Sequence, residues 1–524
     1  MKHRNIPVVC CFAALCFGSL FATGGNFANA YVTEKWYWTV FVGVALAICG
    51  CFMRGRGRLF PAALVVMAAL STAQGGYGLL QYFGVFQGNN GMLMTGSFDN
   101  PAGLAACLCV GFPCLYPPVF GRQKRTKQTA TVAMGVMLVA IALSGSRAGL
   151  MSLTAVGLAT LLLPFDAKPS AKSAPKIWKY AAIALLTVIV AIGLYLMKKS
   201  SADGRLLIWR CSWDMFCEKP LTGYGAGGFH ANYMHFQARY FETHPDSPYA
   251  MLADNVSFPF NEYLQLAVNY GLLGIACLIV VIWLIIKSYT RIKERSVYDR
   301  SALLCLLATA VFAFFSYPLA YPFVWIAGLT CAAYIIVRAN YRISLPKSAF
   351  LAMKIGVVAI GVGVAVIAFG RMRTETEWYA AARMSLKGDT DKALPTYARL
   401  HKSLRNNELF LYNYASELNV AGRYDESLVI AAECEQRLAD YDLELLIADD
   451  YLRLQRYDEA ESRYRKAAAM CPVRFMPLYR LVKLYQAAGR DAEARSLAAI
   501  ILQKKVKVPS PEITAILMEM RGIF

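Results

Sequence analysis

The sequence FNEYLQLAVNYGLLG, residues 260–274, joins the one long polar stretch of the first 370 residues to an apolar run. The polar stretch begins at Lys198 and ends at Pro259. Apolar runs recur on both sides of it, each roughly 17 to 25 residues long, which is the length that a helix needs to cross the core of a bilayer. The pattern predicts a polytopic, all-α membrane domain with one large polar loop.

The composition agrees with this class. Of the 524 residues, 57% are hydrophobic and only 17% are charged, a balance typical of membrane proteins. We predict about eleven spanning helices within residues 1–370, each long enough to cross the bilayer. They start near Val8, Trp36, Leu59, Pro101, Gln128, Ala148, Ile177, Phe260, Ser301, Pro322 and Phe350.

Basic residues cluster in every second connection between these predicted helices. Loops rich in lysine and arginine mark the cytoplasmic face of a membrane protein. The N-terminus is therefore predicted inside the cell, and the loop 198–259 and the C-terminal region outside it. The basic connections are Arg54–Arg58, Arg122–Lys127, Lys168–Lys179, Lys287–Arg295 and Arg338–Lys347.

Residues 1–30 also imitate a secretory signal, because Lys2 and Arg4 precede an apolar core and Ala28-Asn29-Ala30. An uncleaved first span is the preferred interpretation. Cleavage would leave the predicted orientation of every later helix unchanged.

The formal net charge of +20 could indicate a nucleic-acid partner. From Arg371 onward, however, 24 basic and 22 acidic residues nearly cancel, so the excess lies in the membrane half. The charge therefore reports membrane topology, and we predict no nucleic-acid partner.

After Arg371 a short signature recurs about every 34 residues. The spacing resembles tetratricopeptide repeats, in which a glycine closes the turn between two helices and small residues such as Ala393, Ala460 and Ala494 let the helices pack. Residues 371–524 are therefore predicted to form an α-solenoid whose concave face holds a protein partner or presents an acceptor. A purely structural cap is the alternative. The signatures are Gly388-Asp-Thr-Asp-Lys-Ala, Gly422-Arg-Tyr-Asp-Glu-Ser, Gln455-Arg-Tyr-Asp-Glu-Ala and Gly489-Arg-Asp-Ala-Glu-Ala.

Three arginines on the predicted outer side are candidates for binding an anion. Arg147 follows Ser144-Gly-Ser at a helix end, and Arg205 and Arg210 lie in the polar loop. A guanidinium group binds diphosphate oxygens through paired hydrogen bonds. For Arg147, a simple anchor at the membrane interface is an equally good interpretation.

Several short motifs occur in an order that resembles the O-antigen ligase and O-antigen polymerase family, over roughly residues 60–340. The resemblance implies a GT-C-like membrane fold and transfer of a glycan from an undecaprenyl diphosphate carrier to an acceptor hydroxyl, with neither metal nor nucleotide as cofactor. It also implies that Arg147 and Arg205 hold the diphosphate, with Arg210 as a third candidate. The motifs are Thr95-Gly-Ser-Phe-Asp-Asn-Pro101, Ser144-Gly-Ser-Arg147, Arg205 with Trp209, Leu221-Thr-Gly-Tyr-Gly, and Asn261-Glu-Tyr-Leu with Gly271-Leu-Leu-Gly274.

The chain departs from the family at the catalytic base. The family usually has histidine immediately before the asparagine at the start of the next helix, and Phe260 stands at that position here. Glu262 is the first substitute, since a carboxylate at the mouth of the helix could face the loop. His244 and Asp254 are further candidates. Each of the three also has an ordinary interpretation, as a helix N-terminal charge or a loop residue.

The leading interpretation is an inverting, metal-independent glycosyltransferase of the bacterial inner membrane. Its acceptor would be the lipid A core, a protein or a growing glycan, and in the last case the enzyme would be a polysaccharide polymerase. The alternatives of another class are a membrane transporter and a non-catalytic scaffold for envelope assembly, which the missing histidine favours.

Overall fold

The computed structural model describes residues 6–51, 59–162, 193, 199–341 and 346–524. Every regular element among these residues is helical, and no strand occurs in them. The chain divides into two compact units, of which the first comprises residues 1–197, 260–262 and 277–373 and the second comprises residues 198–259, 263–276 and 374–524. The predicted span near Ile177 and the basic residues Arg54–Arg58, Lys168–Lys179 and Arg342 lie outside the described residues.

The first unit is built from apolar helices. Six helices of the described residues are long and apolar enough to cross a membrane, and three shorter ones are also apolar. The protein is therefore a multi-pass membrane protein, while the total of about eleven spans stays a prediction. The helices are α1 (Ile6–Phe21), α2 (Thr33–Cys51), α3 (Leu59–Tyr82), α4 (Pro101–Gly111), α5 (Tyr116–Val119), α6 (Lys124–Leu143) and α7 (Arg147–Leu162), followed after the polar loop by α10 (Glu262–Arg291), α11 (Val297–Phe315), α12 (Pro322–Arg338) and α13 (Lys347–Ser385).

The second unit contains two loop helices and eight repeat helices, and it includes residues 263–276 of α10 and the end of α13. The loop residues pack with the repeat helices, while the predicted domains, residues 1–370 with the loop 198–259 and residues 371–524, stay a prediction. The loop helices are α8 (Lys199–Glu218) and α9 (Gly228–Thr243), and the repeat helices are α14 (Thr390–Leu404), α15 (Glu408–Val420), α16 (Tyr424–Glu435), α17 (Tyr441–Arg453), α18 (Tyr457–Met470), α19 (Met476–Ala487), α20 (Asp491–Gln503) and α21 (Pro511–Arg521).

The loop helix α9 is held on the repeats by a fully buried amide. Gln237 donates to the carbonyl oxygen of Met470 at 2.7 Å and to that of Asp254 at 3.1 Å, and it accepts from the Tyr233 hydroxyl at 2.8 Å. A backbone bond from Ala439 to the carbonyl of His230, at 2.9 Å, adds to the contact. Because buried polar groups are costly unless they are bonded, this set fixes one docking geometry for the loop.

The four repeat signatures share one turn geometry. Gly388, Gly422, Gln455 and Gly489 all have positive φ, between 59° and 90°, and they are separated by 34, 33 and 34 residues. Each is followed by a residue whose N–H bonds back to a carbonyl five positions earlier, at 2.7 to 3.2 Å. This is the Schellman motif, which ends a helix with one left-handed residue. The predicted repeat period is therefore visible in the backbone.

The turn geometry generates a matched pair of stability predictions. A Cβ at Gly422 would meet nothing within 4 Å, so Gly422→Ala should destabilise only through the left-handed backbone, by about 1 kcal/mol. Gln455→Gly should stabilise by a few tenths of a kcal/mol. It removes the cost of the left-handed backbone, but part of this gain is offset because glycine raises the conformational entropy of the unfolded chain. Thermal unfolding of the purified protein in detergent, followed by circular dichroism, measures both. Shifts of the same sign in the two variants would contradict the shared geometry.

A buried carboxyl between two repeats gives a pH prediction. Burial raises the pKa of Asp450 to about 6, and its oxygens accept from Ser427 at 2.6 Å and from Asn419 at 2.7 Å. Since the folded state binds the proton more tightly than the unfolded chain, the contribution of Asp450 to stability should fall as the pH rises from about 4 to about 6.

The variant Asp450→Asn cannot ionise. It should therefore raise the unfolding midpoint at neutral pH and leave it nearly unchanged near pH 4, with a gain of about 1 kcal/mol at neutral pH. The exposed Asp458→Asn in the next helix controls for the loss of one charge. Equal unfolding midpoints for wild type and Asp450→Asn at both pH values would show that burial of the ionised carboxylate does not lower the stability of the fold.

Candidate active site

The motif Thr95–Pro101 forms a loop that is fixed by buried side chains of α3. The Gln81 side-chain oxygen accepts from the N–H groups of Thr95 at 3.0 Å and Gly96 at 2.7 Å. Gln74 contributes in the same way, accepting from Ser97 N at 3.2 Å and donating to its hydroxyl at 2.6 Å. Gly96 has φ of 59°, and a Cβ there would lie 2.7 Å from the Gln74 oxygen. The motif therefore needs a glycine at position 96.

This loop presents a cluster of polar side chains. The Asp99 carboxylate accepts from the Tyr321 hydroxyl at 2.9 Å and from the Asn100 amide at 3.0 Å. The same amide lies 3.1 Å from the Tyr317 hydroxyl, while the Asn100 side-chain oxygen caps α4 by accepting from the N–H groups of Ala102 and Gly103. Asp99 is thus held in a defined orientation by two donors.

Phe260, which stands where the family resemblance implies a histidine, lies beside the same cluster. The Phe260 ring is 5.5 Å from the Tyr317 ring, and Phe260 has φ of 54°. A bulky residue in the left-handed region is strained, and such strain concentrates at functional sites. Glu262, half-buried, accepts from the backbone N–H of Leu319 at 3.0 Å. Residues 317–321 of the first unit therefore contact the motif loop, the position of the missing base and its first substitute.

The three predicted arginines fall in different places. Arg147 is the first residue of α7, in the first unit, and is half-buried. Arg205 and Arg210 lie on α8 in the second unit. Five positions on a helix separate two side chains by about 140°, so these two do not share a face. The Arg210 guanidinium lies 5.2 Å above the Tyr240 ring, a cation–π contact.

The other two candidate bases make contacts within the second unit. The His244 ring stacks on Tyr240 at 4.7 Å, so the structure brings His244 and Arg210 to one aromatic ring. Asp254 forms an ion pair with Arg474 of the repeats at 2.7 Å. Among the three candidates, Glu262 is the one that belongs to the same unit as the Asp99 cluster. The catalytic roles of all six predicted residues stay predictions.

Asp99 and Tyr321 had no predicted role, although Asp99 lies in a motif that the sequence singled out. An aspartate before Asn-Pro has the ordinary interpretation of a turn before a helix. Its partner Tyr321 is 222 positions away, and no local pattern indicates a pairing over that distance. In the part of the chain that the structure describes, no group of three or more metal-ligating side chains occurs.

Comparison with known proteins gives one informative match. The family model described as O-antigen ligase matches residues 132–279. No curated protein matches the chain. Among solved structures, the crystal structure of the yeast Tom70 aligns with 94% of this chain and 96% of its own, at 11% identity and a TM-score of 0.26. A likeness at that score carries no argument. The first match confirms the predicted family resemblance over part of the chain: residues 132–279 of this membrane protein match the O-antigen ligase family model.

Proposed function

We propose that the protein is an inverting glycosyltransferase that moves a glycan from undecaprenyl diphosphate to an acceptor hydroxyl on the periplasmic face of the bacterial inner membrane. The observation that carries the proposal is the extent of the family match. Residues 132–279 include all six predicted site residues: Arg147, Arg205, Arg210, His244, Asp254 and Glu262. The N-terminus would lie in the cytoplasm and the repeats in the periplasm.

The proposed step uses the side chains as follows. The acceptor oxygen forms a bond to the anomeric carbon while the bond from that carbon to the diphosphate oxygen breaks. The proton of the acceptor hydroxyl passes to the Glu262 carboxylate. The departing undecaprenyl diphosphate gains negative charge, which Arg147 and Arg205 would stabilise, with Arg210 as a third candidate.

Two features support Glu262 as the base. One of its oxygens is anchored on the Leu319 N–H, which fixes the direction of the carboxylate. The strained turn at Phe260 sets the path of the chain two residues before it, and strain of this kind costs about 1–3 kcal/mol and persists only where the surroundings impose it. A base must be within hydrogen-bonding reach of the proton that it removes, so a fixed orientation favours the role.

The proposal leaves three acceptors: the lipid A core, a protein hydroxyl and a growing glycan. A growing glycan as acceptor would make the protein a polymerase.

A non-catalytic scaffold is the second candidate function. Phe260 favours it, because phenylalanine cannot accept a proton, and the repeats could recruit envelope proteins. Deletion of the gene followed by profiling of envelope glycans and glycoproteins separates the acceptors, and unaltered profiles would favour the scaffold.

The diphosphate model predicts the effect of removing either arginine. Arg147→Ala and Arg205→Ala should each lower glycan transfer by about 100-fold or more, since each removes charge stabilisation of the leaving group. Complementation of the deletion strain with each variant, followed by the same profiling, measures transfer. Arg239→Ala is the matched control, because Arg239 is an exposed loop arginine paired with Glu218. Full transfer by either variant, at normal abundance in the membrane, would defeat the model.

The base assignment predicts that Glu262→Gln lowers turnover by about 100-fold or more without weakening donor binding. Glutamine keeps an oxygen that can accept from the Leu319 N–H, so the local fold should survive. Donor binding and turnover are measured separately on the purified protein with a lipid-diphosphate glycan. Unchanged turnover would move the base to His244 or Asp254, and loss of donor binding would indicate a structural role.

A further inference from the structure

The loop helix α8 has two apolar faces, and only one of them is covered. Its buried residues, such as Leu207, Cys211 and Met215, line one side. On the opposite side Leu206 is 45% exposed and Trp213 is 58% exposed. At 100° per residue, positions 206, 213 and 217 fall within about 40° of one another. An exposed apolar stripe on a polar loop indicates a surface that another molecule covers.

Beyond the end of α8, the apolar stripe continues to the spanning helix α10. Leu221, 67% exposed, follows the last residue of α8 by three positions. The carbonyls of Pro220 and Leu221 accept from the N–H groups of Leu272 at 2.8 Å and Leu273 at 3.3 Å, in α10. The side chains of Leu272 and Leu273 are themselves exposed. All these residues belong to the second unit, so one apolar surface runs from α8 to the helix that enters the membrane.

Glycines fix this junction. Gly271 has φ of 60°, and a Cβ there would lie 2.5 Å from the carbonyl of Leu221. Gly223 has φ of 66°, and a Cβ on it would lie 2.5 Å from the carbonyl of Asn269. The backbone segments can approach so closely only because neither position carries a side chain. The end of α8 therefore keeps a fixed place at the start of the apolar run of α10.

We propose that α8 is an interfacial helix, and that its stripe of Leu206, Trp213 and Cys217, together with Leu221, is covered by phospholipid where α10 enters the bilayer. Tryptophan beside leucine is the composition that settles at the boundary between headgroups and acyl chains. The exposed charges of α8 and of the residue after it, Lys199, Arg210 and Lys219 against Asp214 and Glu218, leave an excess of one positive charge. Binding should thus depend mainly on apolar burial and only weakly on anionic lipid.

The test uses the tryptophan of the stripe as its probe. The full-length protein is reconstituted into phosphatidylcholine vesicles with bromine atoms near the headgroups or near the bilayer centre, and fluorescence is compared between wild type and Trp213→Phe. Trp213→Phe should remove a component that shallow bromines quench more strongly than deep ones and that aqueous acrylamide quenches weakly. Trp378→Phe, which removes a buried tryptophan near the end of α13, is the control and should leave the lipid-quenched component unchanged.

Two results would overturn the proposal. If the Trp213 component is quenched by acrylamide and not by the brominated lipid, the stripe faces water. If neither quencher reaches it, a protein partner or a second copy of the chain covers it. Far-UV circular dichroism of Trp213→Phe identical to that of wild type establishes that the variant is folded in either case.

Discussion

Backbone groups that leave a helix inside an apolar unit must find hydrogen-bond partners within the protein, because neither lipid nor water is there to supply them. The first unit meets this constraint at residues 95–98 with two glutamines of α3. The side-chain oxygen of Gln81 accepts hydrogen bonds from two consecutive N–H groups, and that of Gln74 accepts one from the next N–H group, of Ser97. Lys35 donates to the Ser97 carbonyl at 2.8 Å. The Asp99 cluster can be rigid because the backbone that carries it is satisfied in this way.

The second unit solves a different problem, which is how to give a long polar loop one conformation. Its two helices pack against each other, and α9 also packs against the repeat helix α18. The buried Gln237 and the ion pair between Asp254 and Arg474 attach them to the repeat helices. The α-solenoid therefore has a structural role for the loop, and this role is independent of any partner on its concave face. Arg205, as a residue of α8, belongs to a helix whose position depends on α9 and hence on the repeats.

The features that the sequence predicted were local ones. The repeat period was predicted correctly, because each turn is specified by its own few residues, and even Gln455 adopts the left-handed conformation that its glycine counterparts indicate. Ten of the predicted spans overlap described helices, and six of the described helices are long and apolar enough to cross a membrane. The contacts that build the site and the loop docking were not predictable, since Asp99 and Tyr321 are 222 positions apart and Gln237 and Met470 are 233 apart. The sequence around each partner of such a pair has no periodic pattern that indicates the contact.

The backbone conformation of Phe260 bears on which residues suit this position, where the family resemblance implies a histidine. Its φ of 54° lies in the region where histidine, asparagine and aspartate are several-fold enriched and bulky residues are rare. The main chain at this position thus has a conformation that suits histidine better than phenylalanine. A histidine at position 260 would therefore fit the backbone as it stands, with no rearrangement of the main chain.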